Sequence, residues 1–174
     1  MAEAERIDLE PLELPSPPSL ADAGRSAAAY SGLREHAFPT CFVCGPEREE
    51  GDGLRIFAGP VASRGPLVAA PWTPAPNLGR LDGRVRREFV WASLDCPGAF
   101  AVGYPARGQT LLGRLAVQLE SLPQVGERCI VAGWPLGEDG RKLYAGTALF
   151  RDTGDVLAWA RATWILPRAS EVNG

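Results

Sequence analysis

The sequence predicts an α+β fold in which one helix lies against an antiparallel sheet. Two features carry this. After Gly108, four strand-like runs follow one another, separated by short connections rich in Gly, Asp and Pro. Ahead of them stands one largely apolar segment, from about Arg84 to Tyr104, long enough to form a helix. A chain of 174 residues, 45% hydrophobic and 22% charged, suits one domain with a sizeable core.

The elements follow in order. Residues 1–35 read as an arm. Its stretch 7–20 holds four prolines and three acids and has little periodicity, so it should be extended. Within the arm, Ala21 to Leu33 is alanine-rich and suits a short helix, with Asp22 as an early-turn acid and Gly32 as terminator. The domain proper spans 36–168, and 169–174 form a C-terminal tail. Gly51-Asp52-Gly53 signals a turn, after which Leu54 to Phe57 starts a strand; Leu67 to Trp72 is a second. A loop from Thr73 to Gly83 leads into the helical segment, where Pro97-Gly98 should kink the helix or break it in two.

The four later strands are Thr110 to Leu122, Arg128 to Leu136, Lys142 to Arg151 and Val156 to Leu166. Short connections predict a meander of antiparallel neighbours. Small residues at Ala145, Gly146, Ala148, Ala158, Ala160 and Ala162 leave room for a helix to press against the sheet.

Charge narrows the function. The net charge is −3, and the one basic cluster is Arg84, Arg86 and Arg87. A general nucleic-acid binder would show a broad basic stripe, so nucleic acid is not an expected partner. No apolar run approaches membrane-spanning length, and Met1 to Pro11 lacks the layout of a signal peptide. A cytoplasmic protein without membrane partners is the expectation.

The most informative stretch is Phe89 to Ala101, which places one carboxylate, Asp95, in an apolar segment with Phe89, Val90, Trp91, Leu94 and Phe100. A charge in such company is costly unless paired, hydrogen-bonded or used. Two roles compete. Asp95 stands two residues before Pro97, a residue favoured in a helix's first turn, so it could cap a new helix. It could equally be a catalytic acid whose apolar surroundings strengthen it as a base.

Four cysteines raise metal and disulfide chemistry. Cys41 and Cys44 form a Cys-x-x-Cys pair, while Cys96 and Cys129 stand alone. Zinc sites usually show a second pair or close histidines, and the one histidine, His36, precedes Cys41 by an unusual five residues. A redox pair would want a helix N-terminus, and Gly45-Pro46 reads as a turn. Buried free thiols, with no metal, are therefore expected.

Two motifs carry a family resemblance. Cys41-Phe42-Val43-Cys44-Gly45-Pro46 with Gly53-Leu54-Arg55, and Trp91-Ala92-Ser93-Leu94-Asp95-Cys96-Pro97-Gly98, resemble the first-strand entry and the acid-bearing central helix of hotdog-fold acyl-CoA thioesterases. The likeness covers about residues 36–167. It implies a sheet wrapped around one long central helix, a homodimer or dimer of dimers joined edge to edge, and active sites at the subunit interface. It also implies a thioester of coenzyme A or acyl carrier protein as substrate, no cofactor, and a helix-borne carboxylate, here Asp95, as base or nucleophile.

The pattern departs from the resemblance at the helix entrance. Many relatives carry His-Gly-Gly there, and this chain has Arg86-Arg87-Glu88. Asn77 is the nearest candidate for the loop amide that relatives direct at the thioester oxygen. Arg84, Arg86 and Arg87 are candidates for coenzyme A phosphates, because guanidinium forks match phosphate oxygens. Glu88 either pairs with one of them or supplies a second acid. Trp91 joins the substrate-binding candidates, although the five tryptophans ordinarily serve core or interface. His36 has no assigned catalytic role. The alternative to hydrolysis is a non-catalytic dimer that holds an acyl thioester or another apolar ligand. A dehydratase would pair a histidine with a carboxylate, and His36 alone equips the chain poorly for that.

Overall fold

A computed structural model describes residue 5 and residues 7–168. The expected tail at 169–174 and most of the first six residues lie outside them. The elements are α1 (Leu20–Ala28), β1 (Gly59–Pro60), β2 (Val68–Trp72), α2 (Arg87–Ser93), α3 (Cys96–Ala101), β3 (Leu111–Leu119), β4 (Cys129–Asp139), β5 (Lys142–Arg151) and β6 (Val156–Ile165). Six strands form one sheet in the order β1-β2-β4-β5-β6-β3, with every pairing antiparallel.

The expected meander holds for β4-β5-β6. Its first hairpin turns at Gly140, whose φ of 57° suits a tight two-residue connection. β4 runs past the predicted stop at Leu136 to Asp139, absorbing a register shift between Pro135 and Gly137. β3 departs from the meander: it pairs with β6 and forms the sheet's edge. The segment after β3 instead ties to the loop before α2, through an Arg84–Gln124 bridge and a Val85 N–H to Pro123 carbonyl bond of 2.9 Å. Residues 54–57, expected as a strand start, are not part of the sheet. Arg55 takes a positive φ of 52°, and the amides of Leu54 and Ile56 bond the carbonyls of Phe42 and Val43.

Alternation along the strands divides the core between two faces. On one face Val131, Leu143, Ala145, Leu149, Ala158, Ala160 and Ala162 join residues of α2 and α3. Ala148, Phe150 and Trp159 point to the other face, where α1 and Leu9, Leu12 and Leu14 of the arm cover them. Of the small residues expected beneath the helix, Ala148 therefore belongs to the opposite side. Gly146 likewise lies against the Trp134 ring. The close approach to α3 falls instead at Gly133 of β4, where any Cβ would stand 2.6 Å from the Pro97 carbonyl oxygen.

The single long central helix is replaced by two short ones. The break falls at Leu94-Asp95, just before the predicted Pro97-Gly98, because Pro97 enters at the first turn of α3. Pro97 offers no N–H to continue α2, and the Gly98 N–H closes onto the Asp95 carbonyl at 3.0 Å. The Leu94 carbonyl is met from the sheet: buried Thr147 donates its hydroxyl at 2.8 Å. α1 begins at Leu20, capped by Ser19, whose hydroxyl oxygen accepts from the Asp22 N–H at 3.1 Å.

Candidate functional site

The helix break sets the position of Asp95. Its backbone occupies the N-cap position of α3, but its side chain makes no capping bond. Carboxylate oxygen Oδ1 is buried and has no hydrogen-bond partner among the described residues. The capping role weighed from sequence is thus not the one the side chain takes. Burial, and after it the nearby Cys41 sulphur, pushes this acid up to about 6, because a desolvated carboxylate favours its neutral form.

Asp95 lines a cavity of about 190 Å³ between α3 and the start of β3. Phe38, Phe100, Leu111 and Leu112 supply apolar walls. Two further polar atoms without partners among the described residues belong to residues lining the same space, Oγ1 of Thr110 and Nε1 of Trp164. Buried polar atoms are nearly always satisfied, so three orphans around one cavity mark a place built for a ligand or water. Thr110 and Trp164 are each about 5% exposed. Both are donors, and they share the cavity with the acid. Trp164 is packed closely on the helix, since a Cβ at Gly98 would stand 2.8 Å from its Nε1.

A second group occupies the same cavity wall. The sulphurs of Cys41, Cys44 and Cys96 all lie within 4.8 Å of one another, with Cys41 and Cys96 at 3.6 Å. No disulfide joins them, and Cys129 stands apart in β4. Interaction among the three sulphurs holds the Cys41 thiol far below its ordinary range and raises those of Cys44 and Cys96. His36 lines the cavity too, with Nε2 3.2 Å from the Cys44 sulphur. Its Nδ1 accepts from the Phe38 N–H at 3.0 Å, so the ring proton resides on Nε2.

The other sequence candidates lie elsewhere; Asn77, Arg84, Arg86, Arg87, Glu88 and Trp91 do not line this cavity. Asn77 sits in a short 3-10 turn, Pro76–Leu78, and donates its side-chain amide to the Gly51 carbonyl at 3.0 Å. Arg86 stands at the N-cap position of α2 without a side-chain capping bond, lies over the Phe89 ring at 4.5 Å and faces Glu88 at 3.6 Å. Arg84 and Arg87 are exposed, and Trp91 is half-buried on α2. Sequence reasoning missed Thr110 and Trp164, for which no local signal exists. It also missed Cys96 as a neighbour of the Cys-x-x-Cys pair.

No family model matches the sequence, and no curated protein matches it. Solved structures do match the fold. One is a thioesterase superfamily protein, at TM-score 0.62 and 16% identity, over 72% of this chain and 62% of that one. The alignment thus leaves more than a third of that protein's length uncovered. Zebrafish thioesterase superfamily member 2 matches at TM-score 0.54 and 16% identity, over 58% of this chain and 75% of that one. A hypothetical thioesterase from Streptococcus pneumoniae, solved with coenzyme A, matches at TM-score 0.54 and 8% identity, over 58% and 78% respectively. The architecture is the hotdog fold that these solved structures share.

Proposed function

We propose that this protein hydrolyses an acyl thioester of the coenzyme A type, with Asp95 as general base or nucleophile. One observation carries the proposal: a carboxylate whose buried Oδ1 has no partner among the described residues shares an apolar cavity with two unpartnered donors. Coenzyme A bound to a structure of the same fold supports the choice of thioester.

The chemistry needs little more. A thiolate leaves readily, so a single carboxylate suffices. Acting as base, Asp95 takes a proton from water while the water oxygen bonds the carbonyl carbon. The carbonyl oxygen gains negative charge, and Thr110 Oγ1–H and Trp164 Nε1–H are the donors available to it. Collapse expels the thiolate, which receives the proton and leaves as free thiol beside the carboxylic acid. Arg84 and Arg87, both exposed, are left as the contacts for coenzyme A phosphates. Edge strand β3, whose Leu111 and Leu112 are exposed beside the cavity, is where a second copy would pair and complete the pocket.

A panel of acyl-CoA substrates assayed with a thiol reagent tests this. Asp95→Asn should lower the rate about 10²–10⁴-fold, the usual span for losing a general base, without changing the circular dichroism spectrum. Equal rates for the two proteins would refute the assignment. The second reading, a binder without turnover, is favoured by the missing His-Gly-Gly and by the engagement of Asn77 with Gly51. It predicts calorimetric binding of acyl-CoA and no thiol release.

A further inference from the structure

The stretch from Arg34 to Ala58 contains no helix and no strand, yet it lies against the helix that carries Asp95. Coil of that length in a compact protein needs something to hold it. Within it lies a tight turn at residues 41–44. Gly45 closes the turn with a 2.9 Å bond from its N–H to the Cys41 carbonyl. No other residue fits at 45, because a Cβ there would stand 2.5 Å from Cys41 N and the Pro39 carbonyl oxygen. The turn aims the N–H groups of Val43 and Cys44 at the Cys41 sulphur. It also sets the Cys41 and Cys44 sulphurs beside that of Cys96, the first residue of α3.

We propose that Cys41, Cys44 and Cys96 bind a thiophilic divalent cation of the zinc class, which staples the 34–58 coil to the start of α3. The sulphur spacing suits three corners of a tetrahedron. With metal–sulphur bonds of about 2.3 Å, thiolates on one ion stand about 3.8 Å apart. Cys41 and Cys96 are 3.6 Å apart, and the whole trio falls within 4.8 Å. Turn amides pointed at a sulphur, and the His36 Nε2–H at 3.2 Å from Cys44, are outer contacts that neutralise thiolate charge and orient the ligands. His36 is a positioning residue here and not a ligand, since its Nδ1 already accepts from Phe38. All three cysteines line the cavity that Asp95 also lines.

Cobalt(II) is the probe, added to the full chain kept reduced and stripped of metal. One equivalent should produce a thiolate-to-cobalt charge-transfer band in the near ultraviolet together with tetrahedral visible bands, and one equivalent of zinc should bleach both. Cys41→Ser and Cys96→Ser should lose the charge-transfer band, whereas Cys129→Ser, altered outside the cluster, should keep it. Cys41 is partly exposed, so its variant serves if Cys96→Ser fails to fold. His36→Ala should weaken cobalt affinity about 10–100-fold. Asp95→Asn should retain the band, which separates this site from the catalytic proposal. The staple is overturned if cobalt gives no charge-transfer band with the reduced full chain, or if Cys41→Ser leaves the band undiminished. It is equally overturned if freshly isolated protein contains no bound metal and carries a disulfide among these three residues.

Discussion

Replacing Thr147 with valine tests how the acid is held in place. Thr147 is fully buried in β5, and its hydroxyl reaches the Leu94 carbonyl at 2.8 Å across the break between α2 and α3. Valine keeps the shape and removes the donor, leaving a buried carbonyl without it. Such a loss costs about 1–3 kcal/mol. For a chain of this size that lowers the melting temperature by about 2–4 °C per kcal/mol, or about 2–12 °C altogether. Urea denaturation should show a lower midpoint with an unchanged slope, since the surface exposed on unfolding stays the same. The next residue after Leu94 is Asp95, so thioester release should fall in parallel. Serine keeps the donor and should retain most of the hydrolytic rate. A valine variant as stable as the wild type would refute the claim that the sheet anchors the helix break.

Two further outcomes check the site. Trp164→Phe keeps a ring beside Gly98 and removes only the indole N–H, so kcat should fall about 100-fold with KM little changed; an unaltered kcat would remove Trp164 from oxyanion stabilisation. Light scattering should give a dimer for the wild type and a monomer for Leu112→Lys, because a lysine on an exposed edge opposes strand pairing, and a wild-type monomer would end the two-subunit pocket.

The parts legible in the sequence were those set by local chemistry. Turn residues such as Gly140 and Gly154 delimit β5 and β6 close to where the structure has them, because positive φ is a property of the residue itself. Pro97 announced the helix break for a similar reason, and Asp95 stood out because a charge among aromatics is costly anywhere. What stayed hidden was long-range. Pairing of β3 with β6 depends on contacts no spacing reveals. Arg55 gave no sign of the left-handed backbone that keeps residues 54–57 out of the sheet. Thr110 and Trp164 read as ordinary strand-region residues until the fold leaves their donors without partners. Cys96 comes to Cys41 from 55 residues away, so an intervening distance in sequence disguised a neighbour in space.

The arm's course over the outer side of the sheet limits how copies can assemble. Arg64 donates to the Ser16 carbonyl at 2.8 Å and Arg161 to the Pro11 carbonyl at 3.3 Å, so the strap is tied down at two points on that side. Stacking two sheets back to back would require peeling it away, together with the leucines it buries. Lateral growth through the rim strand needs no such rearrangement, which leaves the N-terminal strap as a built-in veto on one of the two geometries available to larger assemblies.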